Sequence, residues 1–143
     1  FHVTSGSDPR AYTVSSGATL TGAWVTSPGQ DVRVHGPNGF YRQFAGEGPD
    51  ITAIPAGANL RLKVTNNSSA AVKLTLADAY AGTSSAVTVP ARMTVPVIVR
   101  TAAGSGWYDV SVTSDAGPTY LRRLAGHVET GRVSISDPAL GNA

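Results

Sequence analysis

The chain has 143 residues, of which 14% are charged, and it carries a net charge of +2, 16 glycines and no cysteine. The missing cysteines exclude disulfides and thiolate metal sites, and the interleaving of cations with acids excludes the basic patch that nucleic-acid binding needs. No apolar run is long enough for a membrane-spanning helix, and no signal peptide is present. The chain opens on Phe1-His-Val without a methionine, so we interpret it as a piece of a longer protein.

Short strands and turns are predicted along the whole chain, and no segment has a helical period over three turns. Gly36-Pro-Asn-Gly39 is the strongest hairpin signal, because glycine and asparagine tolerate positive φ. A junction is predicted at residues 47–50 and a short connection at 51–57, and Pro96 places its strand at a sheet edge or a bulge. The predicted strands are residues 1–5, 11–14, 18–24, 31–35, 40–45, 59–64, 72–76, 86–89, 93–99, 107–113 and 119–127, with turns at 7–10, 27–29, 66–69 and 114–118.

Three stretches recur later in the chain, and residues 1–5 correspond to roughly 72–76. The difference in residue number between matched stretches grows slowly along the chain, and loop insertions between matched strands produce such a growth. Residues 59–64 have no counterpart in the first unit, which is therefore either incomplete at its N-terminus or borrows an edge partner from elsewhere. The matches are 11–14 with 86–89 (86 − 11 = 75), 31–34 with 109–112 (109 − 31 = 78), and 40–46 with 120–126 (120 − 40 = 80).

The sequence therefore predicts an all-β fold, an antiparallel, immunoglobulin-like β-sandwich built from two related repeat units. The first, N-terminally incomplete repeat is predicted at residues 1–48, the second at 49–131, and a polar C-terminal tail at 132–143. Because the junction is short, we expect the two units to pack against each other and not to swing freely.

Two structural pairs are predicted, Asp31 with Arg42 and Asp109 with Arg122. Each predicted hairpin brings an early-strand acid near a late-strand arginine. Such a pair would fix the register of the hairpin more than it would stabilise it, because desolvation offsets much of the attraction. The functional alternative is that the arginines grip a lipid phosphate.

The large aromatic side chains are mostly expected to fill the core. If Trp107 or Tyr41 is exposed beside Arg33 or Arg123, a surface for membrane or choline-headgroup contact is the alternative, since cations sit well on aromatic faces.

No catalytic, cofactor or metal site is predicted. His2, His35 and His127 lie on different predicted strands without a spacing such as His-x-x-x-His, and the chain has no Gly-x-Ser-x-Gly motif. His127 and Glu129 share one face of a strand, where they are interpreted as a hydrogen-bonded pair at the surface or at a domain interface.

Several motifs together resemble a known family, the C-terminal repeat domain of the secreted bacterial phosphocholine-type phospholipases C, haemolytic and non-haemolytic, of the acid-phosphatase-like superfamily. The resemblance covers nearly the whole chain. Its motifs are His35-Gly-Pro-Asn-Gly-Phe40 with Arg42 and Phe44, Gly106-Trp-Tyr-Asp-Val-Ser-Val112, Leu121-Arg-Arg123, Ala125-Gly-His-Val-Glu-Thr-Gly131 and Ser136-Asp-Pro138.

The resemblance implies a parent enzyme with a large N-terminal domain that cleaves phosphatidylcholine or sphingomyelin, followed by tandem copies of this β module and exported through the twin-arginine route. The catalytic domain is outside this chain, so no catalytic residue carries over. The chain is then a non-catalytic accessory module of a secreted enzyme. Its partners would be the catalytic domain of the same polypeptide and a phospholipid membrane surface.

Two other function classes stay open. One is an independent binding module for a lipid headgroup, a carbohydrate or another protein. The other is an independent hydrolase, for which the sequence offers no constellation of residues.

Overall fold

The structure is a computed structural model in which residues 1–24 and 29–141 are described. Within these residues the chain is all β apart from two 3-10 helices, at Ala102–Gly104 and Pro138–Gly141. The strands are β1 His2–Ser5, β2 Asp8–Ala11, β3 Asp31–His35, β4 Tyr41–Ala45, β5 Asp50–Ala56, β6 Asn59–Thr65, β7 Val72–Asp78, β8 Thr83–Val89, β9 Thr94–Val99, β10 Trp107–Ser114 and β11 Leu121–His127.

The strands form two antiparallel sheets, which confirms the predicted all-β sandwich. The larger sheet has eight strands in the order β2-β1-β3-β4-β11-β10-β7-β8, and the smaller has three in the order β5-β6-β9. The inward side chains of the smaller sheet pack in one cluster with those of β7, β8, β10 and β11. The sandwich is therefore closed over one half of the large sheet and open over the other.

The closed half contains the main hydrophobic core. Strand β6 shows why it forms, because Leu60, Leu62 and Val64 alternate with the exposed Arg61 and Lys63, and period-two alternation places every second side chain on one face. Burying a Leu or Val side chain contributes about 1.5–3 kcal/mol each. The buried cluster comprises Leu60, Leu62, Val64, Val72, Leu74, Leu76, Val89, Val99, Tyr108, Val110, Val112, Tyr120, Leu124 and Val128.

The first hairpin, β3–β4, turns where the sequence predicts. Asn38 and Gly39 have φ of 54° and 71°, and two consecutive positive φ values are typical of the turn whose twist matches that of the flanking strands. The turn closes with a bond from the Gly36 N–H to the Phe40 carbonyl at 2.8 Å.

Strand β5 lies where a junction and a short connection were predicted. Ile51 and Ala53 alternate toward the core, and Gly57, with φ of 61°, turns the chain directly into β6. Pro55 is tolerated because β5 is an edge strand, and Pro96 lies on the opposite edge strand, β9, as predicted.

Two other predictions near the N-terminus are wrong. Strand β2 begins at Asp8 and not at residue 11, because the chain turns already at Gly6, whose φ is 56°. Residues 18–24, predicted as a strand, form none, since no described strand pairs with them to complete a ladder. The predicted turn at 27–29 falls largely outside the described residues.

The two halves of the large sheet meet at β4 and β11, which pair antiparallel with Gln43 opposite Arg123. Strands β1–β4 lie on one side of this seam and β7, β8, β10 and β11 on the other. The halves are therefore joined by a continuous hydrogen-bonded ladder.

Candidate interaction surfaces

The charged residues that were predicted to pair lie on opposite faces of the sheet, because side chains alternate between the two faces along a strand. On the β3–β4 ladder Asp31 is in register with Ala45, three positions from Arg42. Because three is odd, the side chains of Asp31 and Arg42 point to opposite faces of the sheet. The same odd step separates Asp109 from Arg122 on the β10–β11 ladder. The expected pairs Asp31–Arg42 and Asp109–Arg122 are therefore wrong.

The two acids instead pair on the outer face of the sheet. Asp31 accepts hydrogen bonds from Arg33 Nε at 2.8 Å and from Gln43 Nε2 at 2.5 Å. Burial raises the pKa of Asp31, but the bonds from Arg33 and Gln43 outweigh it, so the pKa lies below its usual value. Asp109 binds Arg123 through two bonds, of 2.9 and 2.6 Å.

Arg42 points to the inner face, where its guanidinium contacts backbone and an aromatic ring. Its Nη1 donates to the carbonyls of Tyr41 and Ala125, both at 2.8 Å, and its Nη2 donates to the Tyr108 hydroxyl at 3.0 Å. The guanidinium carbon lies 4.3 Å from the centre of the Phe40 ring. Arg42 thus links the first half of the sheet to strand β11.

Arg122 repeats this arrangement from the other side of the seam. Its Nη1 donates to the carbonyls of Leu121 at 3.0 Å, Ala45 at 2.6 Å and Gly46 at 3.2 Å. The guanidinium carbon lies 4.4 Å from the centre of the Tyr120 ring. Sequence reasoning missed these contacts because it looked for carboxylate partners.

The available signal for both arginines was the aromatic residue two positions before each, Phe40 before Arg42 and Tyr120 before Arg122. Residues two apart on a strand share a face, so the ring and the guanidinium are neighbours.

The residues predicted for lipid contact lie on the outer face, but none is free of protein contacts. The Arg123 guanidinium sits 5.6 Å from the centre of the Tyr41 ring. Trp107 is half-buried, and its indole N–H donates to the carbonyl of Ile135 in the C-terminal tail at 3.0 Å. Arg33 and Arg123 are both bound to carboxylates, which leaves less positive charge available to a phosphate.

His127 and Glu129 are in contact, with His127 Nδ1 and Glu129 Oε1 3.2 Å apart. The His127 side chain is buried and packs against Trp107, whereas Glu129 is exposed. An interface role for this pair stays a prediction.

Two further searches concern the described part of the chain only. There, no group of three or more His, Asp or Glu side chains is placed to hold a metal ion. The same residues include no helix with the length and apolarity required to cross a bilayer.

The open half of the large sheet carries an apolar groove of about 630 Å³, which we call the first-half groove. Large apolar side chains are exposed along it, among them Phe1 at 40%, Phe44 at 39% and Leu20 at 54%. The sequence indicated this groove indirectly, because residues 59–64 have no counterpart in the first unit and a missing strand leaves a face uncovered. The groove is lined by Phe1, Val3, Tyr12, Val14, Ala18, Thr19, Leu20, Gly22, Trp24, Val32, Val34, Phe40 and Phe44.

These features define an all-β module with inward-facing arginine–aromatic contacts at its seam and an uncovered apolar groove. The family model for the bacterial phospholipase C, C-terminal domain, matches residues 1–47 and 50–127. The chain belongs to this family, which confirms the resemblance noted in its motifs.

Three curated relatives carry phospholipase names. The non-hemolytic phospholipase C of Burkholderia pseudomallei is 36% identical, over 100% of this chain and 23% of the relative. The non-hemolytic phospholipase C of Pseudomonas aeruginosa is 32% identical, over 96% and 22%, and the hemolytic phospholipase C of the same organism is 37% identical, over 75% and 16%. The chain therefore spans about a quarter or less of the length of these relatives.

Proposed function

We propose that this chain is a non-catalytic accessory module of a secreted phospholipase C. It stabilises or positions a separate catalytic domain of the same polypeptide, or assists contact with a lipid surface. The observation that carries this proposal is the match of the chain to a C-terminal domain that makes up about 23% of relatives named phospholipase C. By the family resemblance, the rest of the polypeptide cleaves phosphatidylcholine or sphingomyelin.

The contacts of the charged side chains support a structural role. Arg42 and Arg122 donate to backbone carbonyls inside the sheet, and Asp31 and Asp109 bind arginines on its outer face. Side chains held in this way fix the register of the strands and the positions of their neighbours on each face of the sheet. They are poorly placed to exchange protons with a substrate, because their hydrogen-bonding groups already have protein partners.

We also propose that the module consists of two copies of one unit, at residues 1–48 and 49–131, followed by the tail at 132–143. The support is the arrangement of Arg42 and Arg122, whose carbonyl and ring contacts correspond across the seam. The family model also matches in two stretches, on either side of residue 48.

Positioning of the catalytic domain is favoured over direct lipid contact. The exposed guanidiniums of Arg33 and Arg123 each have a carboxylate within hydrogen-bonding distance, and a lipid phosphate would have to compete with it. The first-half groove, by contrast, offers apolar surface that a neighbouring part of the polypeptide can bury.

The test compares the full-length protein with a version that lacks this module. Loss of positioning lowers the thermal midpoint of the catalytic domain and reduces turnover of both a soluble phosphocholine ester and phosphatidylcholine vesicles. Loss of lipid contact reduces turnover of the vesicles alone, and the isolated chain then co-sediments with them. Turnover of the soluble ester by the isolated chain would contradict the non-catalytic assignment.

A further inference from the structure

The two halves of the large sheet correspond position by position across the β4–β11 seam. An offset of 80 (123 − 43) maps Gln43 onto Arg123, and these two residues face each other in the ladder. The same offset maps Tyr41 onto Leu121 and Ala45 onto Ala125, and the ladder pairs Tyr41 with Ala125 and Ala45 with Leu121. The β4–β11 pairing is therefore symmetric, in that exchanging the two halves gives the same set of paired positions.

The neighbouring ladders extend this correspondence to the residues that line the inner face. Val34 pairs with Val3 in the first half, as Val112 pairs with Leu76 in the second. Corresponding inner-face positions, first half then second, are Val3 and Leu76, Val32 and Val110, Val34 and Val112, Phe40 and Tyr120, and Phe44 and Leu124.

Val3 and Leu76 are both buried, at 7% and 5% exposed, but at the positions nearer the seam the two halves differ in burial. Leu124 is 3% exposed in the second half, whereas Phe44 at the same position of the first half is 39% exposed. The second-half residues are covered by β6, through Leu60, Leu62 and Val64. The first-half groove is thus the same surface without the strand that covers it.

Residues 18–24 occupy the place of β9 in the first half. They lie between β2 and β3 along the chain, as β9 lies between β8 and β10, and Leu20 and Trp24 line the groove. Strand β9 is a strand because it pairs with β6. Residues 18–24 have the sequence pattern of a strand but pair with no described strand. The Ala18 N–H donates to the Ser15 carbonyl at 3.0 Å, so residues 19–24 are the stretch that a partner strand would join through its backbone groups.

We propose that the first-half groove binds a β-hairpin, equivalent to β5–β6, formed by the residues that precede Phe1 in the longer polypeptide. The second strand of that hairpin pairs with residues 18–24, and its alternating apolar side chains fill the groove. In the second half, β5 and β6 immediately precede β7, and Asp50 lies 74 − 50 = 24 residues before Leu74, the counterpart of Phe1. The hairpin is therefore expected within about that distance upstream.

Two other observations favour this occupant. The first stretch matched by the family model, 1–47, is shorter than the second, 50–127, which contains β5 and β6. The relatives are also about four times as long as this chain, so they contain further sequence. A strand is favoured over a lipid chain because only a strand can pair with the backbone of residues 18–24. The proposal does not depend on the phospholipase role and can hold if that role fails.

The test is amide hydrogen exchange on the full-length protein and on the 143-residue chain. We expect protection of residues 18–24 to rise by about 100-fold or more in the full-length protein, because a paired strand opens far less often than an unpaired one. Strand β9, which has its partner in both proteins, is the internal control and should change little.

Two matched variants of the full-length protein sharpen the test. Phe44→Ser, in the groove, should lower the protection of residues 18–24, whereas Ile98→Ser, equally apolar and 52% exposed on the outer side of β9, should leave it unchanged. Equal exchange of residues 18–24 in the two wild-type proteins would overturn the proposal. So would protection that appears in the 143-residue chain on self-association, or only on adding phosphatidylcholine vesicles.

Discussion

At the residue scale, Tyr120 shows how a single polar atom holds the segment before β5 against the core. Its ring is 2% exposed and lies under the Arg122 guanidinium, and its hydroxyl donates to the Pro49 carbonyl at 2.8 Å. A buried phenol that donates to a carbonyl loses this bond when it ionises, so the neutral form is favoured in the folded protein. Burial accordingly raises the pKa of Tyr120 to about 12 from 10.0.

This shift predicts a loss of stability at alkaline pH. Because the folded-state pKa is raised, the contribution of Tyr120 is fully present below pH 10 and is lost as the pH rises through about 12. The free energy of unfolding of Tyr120→Phe should therefore fall less steeply between pH 10 and 12 than that of the unchanged protein. Denaturant titrations at several pH values measure the slope. Part of it remains in the variant, since burial and a bond to Asp137 also raise the pKa of Tyr80. An identical slope in both proteins would contradict the prediction.

At the element scale, the β4–β11 seam is held by more than its ladder. Arg122 reaches across it to the carbonyls of Ala45 and Gly46, and Arg42 reaches back to that of Ala125. Gly46 permits a close approach here, since a Cβ at this position would lie 2.7 Å from the backbone carbonyl of Thr119. Each half therefore completes hydrogen bonds of the other.

The adjacent arginines of β11 provide a matched comparison for this seam. We expect Arg122→Met to lower the free energy of unfolding by about 2–3 kcal/mol, because it leaves inward carbonyls without a donor. Arg123→Met removes the same charge from the outer face, where an exposed ion pair contributes about 0–1 kcal/mol. Urea denaturation of both variants measures the difference. Equal losses would show that the inward contacts do not hold the seam.

Elements with a local signal could be predicted from the sequence, whereas features that depend on a partner strand could not. Asn38 and Gly39 determine the β3–β4 turn by their own backbone preferences, and the alternation in β6 identifies its inward face without reference to neighbours. The partners of the arginines could not be predicted, because they depend on which face of the sheet each arginine takes relative to the aspartate on the paired strand. That is decided by the register, and the register is set by the number of residues in the turn. Residues 18–24 have a strand pattern, but a ladder needs a second strand.

At the scale of the whole molecule, stability is distributed unequally between the halves. The main buried cluster draws all its members from residues 60–128, whereas the inner face of the first half is largely open. The second half thus has a core of its own. The first half depends on the seam with β11 and, by our proposal, on a hairpin from upstream.

Dividing the chain at the predicted boundary tests this inequality. Residues 49–143 alone should keep a β-type circular dichroism spectrum and unfold cooperatively, while residues 1–48 alone should stay unfolded, since they bury too little apolar surface to offset chain entropy. Circular dichroism with urea titration at low protein concentration is the measurement, because β11 becomes an exposed edge. A cooperative transition in residues 1–48, or none in 49–143, would contradict the prediction.

The register of β4 against β11 also limits how the two halves of the sheet can assemble. Each half offers the corresponding strand edge to the other, so the contact is isologous, and neither half keeps a free copy of that edge once the two have paired. A head-to-tail contact would leave a free copy of the edge at each end and would allow a growing array. The seam described here leaves none, and any further domain of the polypeptide must attach through a different surface.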